Sequence, residues 1–337
     1  MKRVPKFAVL TLSAMLALSG CGMTSDPLPG TIGEDGQPAA VSTQDYVPAE
    51  VVKPKDGKKV KIGASFPLLD QFLQNVATSI KERAEAAGAE VSVTSAEEKI
   101  EIQLNQIENF IASGVDALIV LPQDTATTAQ ITQKAKAANI PLVYVNRRPS
   151  ELPKGVPYVG SDSLVAGQLE MEQLAKLSNH QGNVAILQGD PTQEAAQQRT
   201  QGCKEVAAKY NMNVVFDQTG LWMRDKGLAL AENLIQSGQQ VDVICANNDE
   251  MALGAINAFE NAGMLDKVVV GGVDATGDAL AAMAAGKLEV TVFQDAKGQG
   301  QAGVDTAIKM INGDEVPDVI NVPYQLVTPE NMSQFQQ

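Results

Sequence analysis

The sequence predicts an α/β protein with two Rossmann-like halves, each a doubly wound parallel sheet, and three observations support this fold class. From Lys58 onward, short β-branched segments alternate with amphipathic helical segments. Apolar runs such as 117–121 lack the polar alternation of half-exposed strands, which is typical of parallel strands covered on both faces. The alternating region spans about 280 residues, which is long for one core and suits two domains.

In the first half, residues 60–66 are a predicted strand. The helix after it carries Phe72, Val76 and Ile80 at four-residue spacing and ends at Gly88. Further elements of this half are predicted as strands at 89–93, 117–121 and 141–145 and helices at about 99–113 and 126–138. The second half continues with predicted strands at 183–187, 212–216, 241–246, 268–272 and 290–293. Such regular alternation indicates doubly wound architecture.

The first 21 residues have the order of a secretory signal. Three basic residues within the first six positions precede an apolar stretch at 7–18 that is too short to span a bilayer stably. Leu-Ser-Gly-Cys at 18–21 resembles the lipobox of bacterial lipoproteins, which implies removal of residues 1–20 and lipidation of Cys21. The alternative is an ordinary cleaved signal with an incidental cysteine. We expect a protein held outside the cytoplasmic membrane by its lipid.

Residues 21–57 are expected to be the lipidated cysteine and a disordered tether. The segment is rich in proline, glycine, serine, threonine and aspartate and has little apolar periodicity. The folded body is expected to begin at residue 58.

The balance of charge argues against a nucleic-acid partner. The formal net charge is −14, and loss of three basic residues with the signal makes it −17. An acidic surface repels phosphate backbones, and no cluster of lysine and arginine stands out.

The chain offers no recognisable set of catalytic residues. Its one histidine, His180, lies in a polar stretch between a predicted helix and a predicted strand, where we expect it to be solvated. Hydrolytic triads and most proton shuttles use histidine, and neither a Gly-x-Ser-x-Gly motif nor a Walker-type loop is present. We therefore expect a protein that is not an enzyme and needs no cofactor.

Two cysteines remain after Cys21. Cys203 falls in a predicted helix and Cys245 in an apolar strand, so we expect two buried thiols rather than a disulfide. Neither a CxxC motif nor a cluster of histidine and cysteine is present, so no metal site of the zinc kind is expected.

Polar and aromatic side chains follow the predicted strands at their carboxyl ends, where open parallel sheets bind ligands. The set combines carboxylates, carboxamides, guanidinium groups and two aromatic rings. A neutral polyol needs this combination, because each hydroxyl donates and accepts and ring C–H faces pack on aromatic planes. Any one residue could equally be a helix cap, but recurrence at strand after strand favours a binding site. The candidates are Asp70, Phe72, Asn146, Arg147, Arg199, Trp222, Asn248, Asp274 and Gln294.

Five segments carry a family resemblance, namely 143–147, 247–254, 271–274, 292–295 and 324–328. In this order and spacing, the chain from about residue 59 to 329 resembles type I periplasmic binding proteins of the ribose/galactose/inositol class. These are the sugar-capturing components of ABC importers. Within the class, Gly-Val-Asp-Ala-Thr at 272–276 and Gln-Asp-Ala-Lys-Gly-Gln at 294–299 are most similar to myo-inositol and rhizopine binders.

The resemblance implies a role for each candidate. Asp70 is similar to the carboxylate that accepts sugar hydroxyls in an Asp-x-Phe motif, and Phe72 and Trp222 would stack on opposite faces of the ring. Phe72 also fits the apolar stripe of its helix, and Trp222 could instead be a surface anchor. The residues that the resemblance assigns to hydrogen bonding with hydroxyls are Asn146, Arg147, Arg199, Asn248, Asp274 and Gln294.

Three positions depart from related binders and bear on specificity. Galactose and glucose binders carry histidine and aspartate where this chain has Gln193 and Ala195, and their acidic calcium loop is absent, so no metal is implied. Ribose binders usually have asparagine where Leu121 stands, which would remove one hydrogen bond to a ligand hydroxyl. These departures leave the ligand's identity open.

The resemblance further implies two lobes joined by a three-strand hinge, with crossings near 160–163, 294–296 and 323–325. The first lobe would comprise 58–161 plus 295–323, and the second 162–294 plus 324–337. We expect a monomeric solute-binding lipoprotein that captures a neutral monosaccharide or cyclitol, myo-inositol or a similar polyol above all, by lobe closure. Its closed form would dock on an ABC permease.

Two alternatives stay open at this point. The same fold and site could serve a sensory protein that signals to a chemoreceptor or histidine kinase, or an importer of an aldose rather than a cyclitol. A related transcription regulator would need an N-terminal helix-turn-helix in place of the signal, so we reject that class.

Overall fold

The computed structural model describes residues 42–125 and 128–335. The predicted signal at 1–20, Cys21 and the predicted tether as far as residue 41 lie outside the described residues. Within the described part, no helix combines the length and the apolar character needed to cross a membrane.

The described residues form strands and helices in the alternation that the sequence predicts. The strands are β1 Thr43–Asp45, β2 Lys61–Phe66, β3 Glu90–Ser95, β4 Ala117–Val120, β5 Leu142–Val145, β6 Tyr158–Gly160, β7 Asn183–Gln188, β8 Asn213–Thr219, β9 Val243–Ala246, β10 Val269–Gly271, β11 Thr291–Phe293, β12 Val319–Asn321 and β13 Gln325–Val327. The helices are α1 Gln71–Ala87, α2 Ile100–Ala112, α3 Thr128–Ala137, α4 Ser163–Leu177, α5 Glu194–Lys209, α6 Arg224–Gln236, α7 Asp249–Asn261, α8 Gly277–Ala284 and α9 Ala296–Ile311.

The first lobe is a seven-stranded parallel sheet in the order β1-β12-β6-β5-β4-β2-β3. Alternate residues of β4 face opposite layers. Ile119 packs in the core formed with α1 and α9, whereas Leu118 and Val120 pack in the core formed with α2 and α3. Both faces of the strand are therefore apolar, which is why its sequence lacks alternation.

The second lobe is a smaller parallel sheet in the order β10-β9-β7-β8. One face packs against α4 and α5 through residues such as Leu174 and Val206. The other face packs against α6, α7 and α8 through residues such as Leu234, Ile256 and Leu280. Strands β11 and β13 pair antiparallel beside this sheet. The α/β fold of doubly wound sheets predicted from sequence is confirmed.

The chain passes between the two sheets three times. The first passage joins β6 to α4, the second joins β11 to α9, and the third joins β12 to β13. Helix α9 and strand β12 thus belong to the first lobe although they follow most of the second lobe in sequence.

Residues 43–52 correct the prediction of a disordered tether up to residue 57. Strand β1 pairs with the edge strand β12, and the Tyr46 hydroxyl donates to Gln301 Oε1 at 3.1 Å. The Arg83 guanidinium donates to the carbonyls of Ala49 and Glu50 at 3.2 and 3.1 Å. The reason is that a sheet edge offers unpaired backbone groups, which a polar segment without apolar periodicity can satisfy.

Cys203 and Cys245 also correct a prediction, because they form a disulfide between α5 and β9 rather than two separate thiols. A separation of 42 residues hid their proximity, since α5 packs directly over the strand that carries Cys245. Among the described residues, Glu170 and these two cysteines are the group whose ligand atoms lie close enough to hold a metal ion, but the two sulfurs are bonded to each other. Disulfides persist in oxidising compartments outside the cytoplasm.

Candidate ligand-binding site

A cleft lies between the lobes and is lined by side chains of both. It brings together all nine residues predicted to bind ligand and two of the three predicted to set specificity. The side chains that line it are Asp70, Phe72, Leu73, Asn146, Arg147, Ser161, Ser163, Gln193, Ala195, Arg199, Trp222, Asn248, Asp274, Gln294 and Tyr324.

The first turn of α1 supplies a carboxylate and an aromatic ring. Asp70 caps the helix, since its Oδ1 accepts from the backbone N–H of Leu73 at 2.7 Å. The Asp70 side chain also lines the cleft, so its carboxylate can accept from a ligand. Burial raises the pKa of Asp70, and that helix-end hydrogen bond and the charge of Arg147 oppose the rise. Phe72 belongs to the apolar core of the first lobe and also lines the cleft.

The turn after β5 supplies Asn146 and Arg147. Asn146 has a left-handed backbone, φ 63°, which asparagine tolerates better than most residues. Its Nδ2 donates to Gln299 Oε1 at 3.0 Å, which leaves Oδ1 for the cleft. Arg147 is 9 % exposed, and burial lowers its pKa to about 10, so it stays protonated at neutral pH.

Arg199 on α5 is held by three segments of the second lobe and hinge. Its Nη1 donates to the carbonyl of Asn247 at 2.6 Å. Its Nη2 donates to Gln294 Oε1 and to the Tyr324 hydroxyl, both at 2.8 Å. Helix α4 can approach this part of α5 only because residue 167 is glycine, since a Cβ there would lie 2.0 Å from the Arg199 carbonyl oxygen.

Asp274 lies beside Arg199, with 3.8 Å between its Oδ1 and Arg199 Nη1. Its φ of 124° is a backbone conformation that residues other than glycine rarely adopt, and such strain concentrates at functional sites. Burial raises the pKa of Asp274 well above the ordinary aspartate value, although the positive charge of Arg199 opposes the rise. Asp274 is therefore a desolvated carboxyl group that faces a ligand cleft.

Trp222 is fixed inside the cleft rather than on the outer surface. Its Nε1 donates to Gln193 Oε1 at 3.1 Å, and its carbonyl accepts from Asn248 Nδ2 at 3.1 Å. Asn248 also caps α7, because its Oδ1 accepts from the backbone N–H of Met251 at 3.1 Å. Gly189 lies under the indole, where a Cβ would come within 2.1 Å of the ring.

Leu121 is the predicted specificity residue that the cleft does not include. Its side chain is fully buried in the core beneath α1 and α9. Leu121 directly follows β4 and continues the alternation of that strand, so its side chain packs toward α1 and α9 rather than into the cleft. Leu121 therefore does not line the cleft, and its predicted effect on a hydrogen bond to the ligand stays a prediction.

Four lining residues were not identified from sequence, namely Leu73, Ser161, Ser163 and Tyr324. Leu73 lies one turn along α1 from Asp70. The two serines flank the first passage between lobes, where the sequence has no pattern to mark them. Tyr324 opens the segment 324–328 that carries part of the family resemblance, so that motif could have identified it.

The four charged groups of the cleft balance. When both aspartates are ionised, Asp70 and Asp274 oppose Arg147 and Arg199, so a neutral ligand needs no further counter-ion. The unused protein groups also mix acceptors with donors. Acceptors are free on Asp70, Asp274 and Asn146, and donors on Arg147, Asn248 and Gln294, within the residues the structure describes. Hydroxyl groups, which donate and accept, match such a surface.

Known proteins share this architecture. The family profile of the periplasmic binding protein domain matches residues 62–315. A protein of Rhizobium meliloti named as a rhizopine-binding protein is 41% identical over 284 residues, which cover 82% of this chain and 92% of the relative. The ribose import binding protein of Bacillus subtilis is 30% identical over 285 residues, which cover 83% of this chain and 92% of that protein.

A solved structure is similar over the same region. It is an ABC transporter solute binding protein from Bacillus halodurans C-125 with bound myo-inositol, which is 42% identical and superposes with a TM-score of 0.80. The match covers 84% of this chain and 99% of that one. The chain therefore belongs to the periplasmic binding protein family, in its type I sugar-binding branch, whose members bind solutes and are not enzymes.

Proposed function

We propose that this protein captures a neutral polyol in the cleft between its lobes, with myo-inositol or a similar cyclitol as its ligand. The observation that carries the proposal is the balanced cleft, where two carboxylates and two guanidinium groups are desolvated together beside two aromatic rings. A charged ligand would leave one of these buried groups uncompensated, which is costly. A polyol satisfies the remaining donors and acceptors, and its ring faces pack on Phe72 and Trp222.

A cyclitol is favoured over an aldose by two kinds of support. The relative at 41% identity is named for rhizopine, and the solved structure at 42% identity contains bound myo-inositol, whereas two relatives named for ribose are 30% and 34% identical. In the cleft, Gln193 is engaged by Trp222 Nε1, and Ala195 offers no polar group. The histidine and aspartate that bind galactose-type sugars in related binders are therefore replaced by one amide that is already hydrogen-bonded and one small apolar side chain.

Capture works by closure of the lobes. Asp70, Phe72 and Asn146 belong to the first lobe, and Arg199 and Asp274 to the second, so a ligand that contacts both groups stabilises the closed arrangement. Two direct contacts already span the lobes. Thr125 Oγ1 donates to the Thr192 carbonyl at 3.1 Å, and Gln71 Nε2 donates to Asp278 Oδ1 at 3.5 Å.

Delivery follows capture in this proposal. The closed protein docks as a monomer on an ABC permease, and a lipid on Cys21 keeps it at the membrane. The disulfide between Cys203 and Cys245 supports a site of action outside the cytoplasm.

Thermal unfolding of the soluble chain from residue 22 tests the ligand. The panel is myo-inositol, scyllo-inositol, ribose, galactose, glucose and xylose. A ligand at about a hundredfold over its Kd adds about 2.7 kcal/mol of stability and raises the midpoint by several degrees. We expect this shift with the inositols and not with the aldoses.

Variants then test the site. Asp274→Asn and Arg199→Ala should each greatly reduce the inositol shift, because each removes a charge-assisted hydrogen bond worth about 1.5–3 kcal/mol and unbalances the cleft. The matched control is Asp314→Asn on the surface, which should keep the full shift. A shift with ribose alone would overturn the cyclitol assignment, and near-normal inositol binding by either cleft variant would overturn the site.

A further inference from the structure

Gln299 is a buried amide that touches the binding site only through other residues. It lies in the first turn of α9, is fully buried and does not line the cleft. Its Oε1 accepts from Asn146 Nδ2 at 3.0 Å. Its Nε2 donates to Ser161 Oγ at 3.1 Å. Both ends of the amide are therefore satisfied, by two residues that do line the cleft.

The hydrogen bond to Gln299 decides which way the Asn146 amide turns. An asparagine side chain can present either its carbonyl oxygen or its amino group with almost the same shape, so its partners determine the orientation. With Nδ2 committed to Gln299, Asn146 presents Oδ1 to the cleft as an acceptor. A ligand at this point must then supply a hydrogen-bond donor, such as a hydroxyl.

Gln299 also connects this orientation to the hinge. Ser161 follows β6 directly and lies in the first passage of the chain between lobes. Because the Ser161 hydroxyl accepts from Gln299, its own hydrogen remains available to donate elsewhere. The relay from Asn146 through Gln299 to Ser161 therefore joins three segments that are separated by more than ten residues along the chain.

We propose that Gln299 is a positioning residue that makes Asn146 an acceptor and so selects a hydroxyl donor on the ligand. This inference rests on the proposed polyol function. Gln299 acts through Asn146, so its substitution changes affinity only while Asn146 is present.

A double-mutant cycle with myo-inositol, measured by titration calorimetry on the soluble chain from residue 22, tests this dependence. Gln299→Met removes the relay at similar volume and should weaken binding about ten-fold. Gln299→Glu should stay within about three-fold, because a buried, protonated carboxyl can accept from Asn146 and donate to Ser161. Asn146→Gly keeps the left-handed backbone without strain and also weakens binding. In that background Gln299→Met should have no further effect.

The matched control is Thr132→Val. Thr132 is 5 % exposed and its hydroxyl is hydrogen-bonded to the Tyr144 hydroxyl at 3.0 Å, under α3 and away from the cleft. This variant loses a buried hydrogen bond of the same lobe, so it should lower the unfolding midpoint while myo-inositol affinity stays unchanged. Additive effects of Gln299→Met and Asn146→Gly, or unchanged affinity in Gln299→Met, would overturn the inference.

A measurement without ligand separates this inference from the proposed function. In the ligand-free protein, the side-chain amide protons of Asn146 should exchange slowly with solvent by NMR. The protection should be lost in Gln299→Met and kept in Gln299→Glu. If no polyol bound the unaltered protein, the proposed function would fail while this readout still tested the hydrogen bond. Fast exchange of the Asn146 amide in the unaltered protein contradicts the positioning role itself.

Discussion

Arg199 illustrates how the site is held residue by residue. One guanidinium satisfies the Asn247 carbonyl, the Gln294 amide and the Tyr324 hydroxyl, which come from three separate segments of the chain. Its carbon Cζ also lies 5.6 Å from the centroid of the Trp222 ring. The planar fork of arginine can meet several acceptors at once, which a lysine cannot reproduce. Arg199 is therefore prepared for a ligand before the ligand arrives.

Asp274 should make binding depend on pH. Burial raises its pKa, and only the carboxylate form is a pure acceptor for ligand hydroxyls, so protons compete with the ligand. Affinity for myo-inositol should therefore rise with pH as Asp274 loses its proton and level off above that range. Calorimetry from pH 5 to pH 9 measures the slope.

The control for this pH dependence is the variant Asp274→Asn, because an asparagine side chain does not titrate. Asp249 lies next to Asp274 and its pKa is raised to about 7 by burial, so it could contribute a slope of its own. Asp274→Asn should leave weak binding with a flatter pH profile if Asp274 is responsible. An unchanged slope in the remaining binding would assign the effect to another buried carboxyl group, such as Asp70 or Asp249.

Residues in the turns between strands and helices both cap helices and line the cleft. Asp70 and Asn248 each use one oxygen to cap a helix and direct another polar atom to the cleft. Helix capping and ligand binding, which are alternatives when the sequence is considered alone, are therefore compatible in one side chain. The cap also fixes the rotamer of the binding group, so less entropy is lost when the ligand arrives.

The disulfide joins two elements that both carry site residues, because α5 holds Arg199 and β9 leads to Asn248. Replacing both Cys203 and Cys245 with alanine should lower the free energy of unfolding by about 3 kcal/mol, since the link closes a long loop. Urea unfolding measures the loss.

Reduction provides the comparison for that variant. A reducing agent should destabilise the unaltered protein by a similar amount and leave the double alanine variant unchanged. Equal unfolding curves for the unaltered protein with and without reductant would contradict a stabilising disulfide.

In the whole molecule, hydrogen bonds join the passages between the lobes to the candidate ligand site. Tyr324 and Gln294 belong to two of the three passages between lobes, and both accept from Arg199. Ser161 belongs to the remaining passage and is joined to Asn146 through Gln299. Hydrogen bonds thus connect each passage to a residue proposed to bind the ligand, so closure and binding are expected to be linked.

Solution scattering measures this linkage. The radius of gyration of the soluble chain should fall when myo-inositol is added at saturation, because the ligand stabilises the closed arrangement. Asp274→Asn at the same ligand concentration should keep the larger radius. A radius that does not respond to bound ligand would show that capture occurs without closure.

Several short strands are not predicted by the periodicity of the sequence. The strands β1, β6, β12 and β13 have three residues each, too few for a periodic pattern to develop. The equally short β10 and β11 were predicted because each lies within a longer apolar segment, 268–272 and 290–293. Longer strands and amphipathic helices were predicted close to their observed positions, as with the segment 60–66 and β2 Lys61–Phe66. Leu121 is predicted to affect specificity by the absence of a hydrogen bond, and the alternation of β4 directs its side chain into the core.

Local patterns in the sequence predicted the fold class and most of the residues that converge on the cleft, because periodicity and the carboxyl-end rule for parallel sheets are local properties of the chain. The disulfide, the added edge strand β1 and the orientation of the Asn146 amide became apparent from the tertiary structure. Each of these depends on a partner distant in the chain, such as Val319 for Thr43 or Gln299 for Asn146. Contacts at that separation leave no pattern in the sequence, since many pairings are compatible with the same local propensities.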